Sequence, residues 1–474
     1  MKRVGYWVSR YKSSHLIAEI NTLVLKKNAR FKIALVYPNT YSIGMSNLGV
    51  HSVYDIFNQS LDVVCERVFL DPKKKQLFSI ETGQALKSFD IIAFSISYEL
   101  DYLNLLKILK DIDLLGSQSI RPVRPLIIVG GIVNSFNYLP LADYSDLIFV
   151  GEAEETIPFF IEKLSEAPHL NSLNKKNDFL QDFKGVDGFF IPGISDPKTI
   201  KASYIKDVNK FPVASKIITT ETEFSNTFLV EISRGCPWNC RFCVTSEVCG
   251  TFRPRDINIV IKQIELGLTL TKKIGLVGAA VSDYPKIDEL VDYLRKRKVV
   301  ISVSSLRIET VKHSLLQVLS ESGQKTVTFA PEAGSDRLRY SLNKKITNQQ
   351  IMQTISIANK LEIKKVKLYF MIGLPSEEDK DILAIVQLIE NVSKLVFVKA
   401  SIGIFVPKPK TPFATALMAD KNILFKKIKF LKAKLSNIQN VEFNTANIKE
   451  ARISYQLSFA DENFFQDYFM KNSL

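Results

Sequence analysis

The sequence predicts an α/β protein: a doubly wound parallel sheet, then a partial barrel of β/α units, then a small α+β cap. Three observations point there. Short apolar runs alternate with amphipathic stretches across residues 29–167, as parallel strands and their crossover helices do. The alternation resumes with longer spacing over residues 222–416. Near the start of the second stretch lies Cys236-Pro-Trp-Asn-Cys240-Arg-Phe-Cys243, three cysteines in eight residues.

At 474 residues the chain exceeds one ordinary core, so two or three domains are expected. A hydrophobic content of 46% and a charged content of 24% are those of a soluble globular protein. The formal charge of +14 suits an anionic partner such as RNA or a phosphorylated substrate. Lysines are nevertheless scattered, and no basic run is read as interleaved with aromatics in the manner of a nucleic-acid face. A generally lysine-rich surface is the simpler reading. The N-terminus lacks the apolar core of a signal peptide, and no apolar run reaches the length of a membrane span. Five cysteines, three of them clustered, are not a disulfide framework, which places the chain in a reducing cytoplasm.

In chain order, residues 1–28 read as an arm with a helix through Leu16–Leu25. Strands are expected at Lys32–Tyr37, Val63–Phe69, Ile91–Ser97, Leu126–Val129 and Leu147–Val150, with helices at Val50–Asn58, Tyr102–Leu115 and Glu154–Leu164. Ligands in such sheets sit beyond the carboxyl ends of the strands. That singles out Pro38–Gly49, the loop carrying Ser95 and Ser97, Gly130-Gly131, and Gly151-Glu152. Glycines there either admit a ligand to the backbone or only make tight turns, and spacing does not choose. Residues 168–221, punctuated by glycine and proline, read as an inter-domain connector. Six further strands follow, at Thr227–Ser233, Lys273–Gly278, Val299–Ser304, Thr326–Ala330, Val366–Ile372 and Ala400–Val406. Six β/α units fall short of the eight that close a barrel. Residues 417–474 form the cap.

Three thiolates on one tight loop suit a soft metal centre. They are one short of the four that hold a [4Fe-4S] cluster, which leaves one iron open to a small molecule. A structural zinc knuckle is the alternative, with Cys249 as fourth ligand, since no histidine lies between His169 and His313.

The C-x3-C-x2-C spacing, the strand before it and Phe242 ahead of the third cysteine resemble the radical S-adenosylmethionine (radical SAM) superfamily. That superfamily is known for an open six-stranded barrel, and the count agrees. The upstream domain resembles the flavodoxin-like, cobalamin-binding domain of cobalamin-dependent radical SAM enzymes, through Ile91–Ser97 and Pro125–Gly131. One departure is plain. Many such domains carry D-x-H-x-x-G, whereas here Gly49 and Tyr54 flank His51 at those offsets. Either a corrinoid binds without that histidine, or the domain keeps the fold alone; His51 itself reads as a partly exposed first-turn helix residue. The stretches Ala330–Lys344 and Val366–Pro375 extend the likeness to an uncharacterised B12-binding-domain subgroup of the superfamily.

The resemblance implies that Cys236, Cys240 and Cys243 hold a [4Fe-4S] cluster whose fourth iron takes the amine and carboxylate of S-adenosylmethionine. It further implies that Phe242 faces the adenine and that Gly278 opens the segment meeting the cosubstrate amine, with Gly-Ala-Ala in place of Gly-Gly-Glu. Glu332 would serve the ribose hydroxyls, Lys344 the carboxylate, and Met371, Ile372 and Gly373 the adenine; a solvated helix lysine is the other reading of Lys344. In the first domain Ser95, Ser97, Gly130 and Gly131 would face cobalamin. Arg307, Asp283 and Tyr284 are candidate substrate contacts. Arg253 and Arg255 are free to pair with Glu231 or with phosphate, and Cys249 reads as a buried structural thiol. The implied activity is generation of a 5′-deoxyadenosyl radical for cobalamin-assisted methylation, cyclisation or rearrangement of a small molecule, peptide or RNA. A flavodoxin or ferredoxin would be the reductant. An RNA methylthiotransferase is the enzymatic alternative, although its second cluster needs N-terminal cysteines and only Cys65 is present. A non-catalytic iron–sulfur carrier is the third reading.

Overall fold

The computed structural model describes residues 15–26, 28–71, 77–116, 120–167 and 172–472. The chain divides into two compact units, residues 1–228 with 457–474, and residues 229–456.

In the first unit five apolar runs become the parallel strands β1 (Phe31–Tyr37), β2 (Val63–Phe69), β3 (Ile91–Ser95), β4 (Leu126–Gly130) and β5 (Leu147–Phe149). Nearly every residue in them is buried, as continuous Val/Ile-rich runs require when helices cover both faces of a sheet. The strand order is β2-β1-β3-β4-β5, with a short antiparallel β6 (Phe189–Phe190) added at the edge. This is the flavodoxin-like order, and it reverses between β1 and β3. The loops that diverge there are the expected ones after β1 and β3. They are tied together: Asn47 caps α1 (Leu48–Gln59) by accepting from the Gly49 amide, and its Nδ2 donates to Ser97 Oγ at 2.9 Å.

Three expectations need correcting in this unit. The helix through Leu16–Leu25 is one turn at 15–18, after which Glu19–Ile20 pairs antiparallel with Ile218–Thr219. The connector is part of the core. Phe179, Phe183 and Phe189 pack with Phe149 and Phe160 at centroid distances of 4.9–5.9 Å. Glycine and proline punctuation had hidden these aromatics, which must be buried somewhere. The cap is not one body. Residues 457–472 belong here, where Asn137 Nδ2 donates to the carbonyls of Leu457 and Ala460 at 3.0 and 2.9 Å.

The second unit contains all six expected strands: β7 (Thr227–Glu231), β8 (Lys273–Val277), β9 (Val300–Val303), β10 (Thr326–Glu332), β11 (Lys365–Ile372) and β12 (Phe397–Ile404). A seventh, β13 (Val441–Thr445), pairs parallel to β12 and lengthens the wall. The wall is two sheets, β9-β8-β7 and β10-β11-β12-β13, joined by a parallel bridge between Leu306 and Phe329. Burial alternates along β10, β11 and β12, so one side of each strand meets the helices and the other is only partly covered. The helix Lys421–Leu435 buries Leu424, Ile428, Leu431 and Leu435. Its outer face mixes exposed Phe425 and Phe430 with lysines, contrary to the expectation of no such run.

Candidate functional site

The cysteine loop leaves β7 through a tight constriction. Ser233–Arg234 pairs antiparallel with Arg253–Pro254 and closes the loop at its base. Gly235 has φ +75°, and a Cβ there would lie 2.5 Å from the Thr251 carbonyl oxygen, so only glycine fits. Below the neck, Glu231 takes both Arg234, at 3.0 Å, and Arg255. Arg253 instead donates to the Cys249 carbonyl at 2.6 Å. The choice left open for these arginines is resolved toward Glu231 for Arg255.

At its far side the loop is held by main-chain bonds. The Arg241 amide donates to the Leu342 carbonyl at 3.0 Å, and Asn343 Nδ2 donates to the Asn239 carbonyl at 2.8 Å. Cys240 is buried, Cys236 and Cys243 half-buried. Burial pushes the Cys236 and Cys240 thiols up, and the nearby Arg307 guanidinium opposes that rise. The thiols lie close enough to influence one another electrostatically: Cys243 and Cys240 are felt at Cys236, and Cys243 at Cys240. Among the described residues no three His, Cys, Asp or Glu side chains converge on a single-ion site. Three thiols on one loop are nevertheless the donor chemistry that an iron–sulfur cluster takes. Cys249 is half-buried at the end of a short helix (Thr245–Val248), not the buried thiol expected.

The remaining candidates divide. Lys344 is buried, against the solvated reading, and its Nζ lies 3.2 Å from Glu332 Oε1. Glu332 sits after a register shift in β10 with φ +70°, a conformation that costs a non-glycine residue on the order of 1–3 kcal/mol. Its carboxyl is pushed up by burial, with Lys344 pulling the other way. Phe242 and Met371 pack on one apolar cluster with Leu342, Leu374 and Phe405. Ile372 is buried at the end of β11, and Gly373 follows with φ +79° while its amide donates to Glu377 at 3.0 Å. Gly278 lets β8 pass Ser233: a Cβ there would meet Ser233 Oγ at 2.7 Å, and that hydroxyl is buried without a partner. Cys240, Lys344, Glu332, Phe242 and Met371 are thus gathered around one end of the strands.

Tyr284, expected at the barrel opening, is buried, and its hydroxyl donates to the Arg255 carbonyl at 2.8 Å. Asp283 accepts from Trp238 Nε1 at 2.9 Å and from Thr310 Oγ1 at 3.1 Å, and burial pushes its carboxyl up. Arg307 stacks over the Trp238 ring at 4.3 Å. Sequence reasoning missed Trp238 as the link between loop and strand ends, although an indole between two cysteines was the available signal.

In the first unit His51 is buried rather than partly exposed. Its Nε2 pairs with the Met45 carbonyl at 3.0 Å, and its Nδ1 accepts from the Lys216 amide at 3.2 Å. Both ring nitrogens are spent on backbone, and burial lowers the imidazole to about 4. Gly131, at φ +116°, packs on the Ile96 main chain, where a Cβ would stand 2.0 Å from its carbonyl oxygen. Its glycine therefore has a structural reason. Ser95 and Gly130 end adjacent strands in register, and Asn134 Oδ1, in the turn after them, is buried without a partner.

The sequence profile of the radical SAM superfamily matches residues 230–389, and that of the N-terminal region of radical SAM proteins matches residues 49–192. A protein of Methanocaldococcus jannaschii, described as uncharacterized, is 31% identical over 447 residues, covering 92% of this chain and 90% of its own. The chain belongs to the radical SAM superfamily. It is therefore an enzyme of the class that uses a [4Fe-4S] cluster and S-adenosylmethionine. Solved structures share the fold of both units. TsrM of Kitasatospora setae, a radical S-adenosylmethionine methyltransferase solved with cobalamin and a [4Fe-4S] cluster, superposes with TM-score 0.55 at 13% identity, over 81% of this chain and 77% of its own. The cobalamin-dependent radical enzyme OxsB, with aqua-cobalamin bound, gives TM-score 0.52 at 16% identity, over 78% of this chain and 53% of its own. No helix among the described residues of this radical SAM protein is long and apolar enough to cross a membrane.

Proposed function

We propose that this radical SAM enzyme carries out a cobalamin-assisted modification of an unactivated carbon, by methylation, cyclisation or rearrangement. The observation that carries the reading is the first unit's sheet: a strand order that reverses between β1 and β3, upstream of the cysteine loop in the same chain. When bound, the cofactors supply one-electron cleavage of S-adenosylmethionine to a 5′-deoxyadenosyl radical and, with a corrinoid, alkyl transfer or rearrangement chemistry.

The protein's own residues orient and shield. Cys236, Cys240 and Cys243 would hold the cluster, which would supply the electron for cleavage of the cosubstrate. Lys344 offers a buried point charge to the cosubstrate's carboxylate. Glu332 presents an acceptor to the ribose, held forward by its strained backbone. Phe242, Met371, Ile372 and Gly373 form the apolar wall against the adenine and exclude water, while Gly278 keeps the amine side open. In the first unit Ser95, Ser97 and Gly130 line the carboxyl edge of the sheet, and the unpaired Asn134 carbonyl is an acceptor for a corrinoid amide. His51 does not fit as a cobalt ligand, because both of its ring nitrogens are bonded to backbone. A second cluster of the methylthiotransferase kind lacks ligands, because Cys65 is fully buried in β2 and the other four cysteines lie at 236–249. The substrate and the reductant are proposed only by class: an organic molecule, peptide or RNA, and a flavodoxin or ferredoxin.

The test is anaerobic reconstitution with iron and sulfide, reduction, and addition of S-adenosylmethionine to protein purified from cells grown with hydroxocobalamin. Release of 5′-deoxyadenosine together with corrinoid absorption in the visible supports the reading. Release of 5′-deoxyadenosine from protein that retains no corrinoid rejects the cobalamin part.

A further inference from the structure

We propose that Arg307 is a positioning residue that sets the reduction potential of the cluster, with Glu309 as its counterweight. The inference rests on Cys236, Cys240 and Cys243 holding a [4Fe-4S] cluster, as argued above.

Arg307 stands beside the bridge that joins the two sheets, between Leu306 and Phe329. Its backbone is fixed there, the amide donating to Ser282 Oγ at 3.2 Å and the carbonyl accepting from Val311 at 2.9 Å. The guanidinium divides its fork. Nη2 meets Glu309 Oε1 at 2.5 Å, and Nη1 reaches Cys240 Sγ at 3.9 Å. Its flat face lies 4.3 Å from the Trp238 ring, and Trp238 is itself held by Asp283. The group is nearly enclosed, with 12% of the side chain exposed against 9% for Glu309.

An arginine there only to pair with a carboxylate would use its fork bidentately. This one does not: Arg307 Nε and Glu309 Oε2 are both buried without partners. The carboxylate takes one Nη and leaves the other aimed at the sulfur.

Net charge and hydrogen bonds at the sulfurs set iron–sulfur potentials. Reduction adds one negative charge to a cluster whose ligand sulfur lies against this cation, in a site where little water screens it. The guanidinium therefore favours the reduced form, and Glu309 partly cancels it. Lys344 also faces Cys240 electrostatically, yet it is paired with Glu332 at 3.2 Å. The direct bond to sulfur belongs to Arg307.

The experiment is an anaerobic redox titration of the reconstituted full chain, followed by electron paramagnetic resonance without S-adenosylmethionine. Arg307→Gln is expected to move the midpoint to more negative potential by at least a tenfold change in the oxidised-to-reduced ratio, about 59 mV for one electron. Glu309→Gln is expected to move it the opposite way, and Arg307→Lys, which keeps the charge, to stay near the parent value. A merely structural arginine would lower cluster content in both Arg307 variants and leave the midpoint where it was; that result overturns the proposal. If Arg307→Gln loads no cluster, Glu309→Gln decides, and an unshifted midpoint there rejects the idea. A parent protein that shows no [4Fe-4S] signal removes the cysteine reading itself, whereas a normal parent signal with unshifted variants removes only the role of Arg307.

Discussion

Arg67 and Arg307 are both buried arginines, one in each unit, and their surroundings are opposite. Arg67 is saturated. Its two Nη atoms take both oxygens of Glu19 at 2.8 Å, its Nε takes Glu81 at 2.6 Å, and its own amide also donates to Glu81 at 2.7 Å. Tyr41 adds a bond to Glu19 at 2.7 Å. Arg307 keeps one nitrogen unpaired and spends another on a thiol. The first arrangement uses every donor to close a core. The second gives up part of that satisfaction and turns one nitrogen toward a cysteine sulfur.

The sharpest way to break the contrast is Arg67→Met. Glu19 and Glu81 would be left buried without a cation, which costs about 3–5 kcal/mol. Urea unfolding should show that loss, while the iron content of the folded fraction stays at the parent level. A smaller loss would mean that these carboxylates find water.

Next comes His51. Held near 4 in the folded chain against an ordinary 6.5, it takes a proton in the unfolded chain first. Its contribution is complete above about pH 6.5, falls away as the pH drops toward 4, and is flat below, amounting to about 3 kcal/mol. Unfolding curves between pH 7 and pH 4 should show this slope in the parent and lose it in His51→Gln. An equal slope in both would place the titrating group elsewhere.

Lys344→Met is expected to cost about 1–3 kcal/mol by leaving the Glu332 carboxyl unpaired, and to weaken S-adenosylmethionine binding in equilibrium dialysis. The smallest effect belongs to Tyr284→Phe. Losing one bond to the Arg255 carbonyl should cost about 1 kcal/mol in the same unfolding assay and leave 5′-deoxyadenosine release unchanged. Lost turnover in that variant would return Tyr284 to the site.

Much of the architecture could be read in advance, because continuous apolar runs such as Ile91–Ser95 and alternating ones such as Lys365–Ile372 declare strands by period. The cysteine loop was legible for the same reason: three like residues in eight positions leave little else to mean. What stayed hidden depends on contacts far apart in sequence. The burial of His51 follows from the 216–217 backbone folding over it, and the core role of Phe179, Phe183 and Phe189 was masked by nearby glycines and prolines. The link from Trp238 to Asp283 spans 45 residues, and Lys344 meets Glu332 only because a short helix reverses the chain between them.

The central claim is that one iron of the cluster stays open to the cosubstrate. Electron paramagnetic resonance of the reduced, reconstituted protein with and without S-adenosylmethionine tests it most directly. The account expects a [4Fe-4S] signal whose g values move when the cosubstrate is added and which is absent from Cys240→Ala. A signal indifferent to S-adenosylmethionine, or protein that takes up zinc in preference to iron and sulfide, would contradict it.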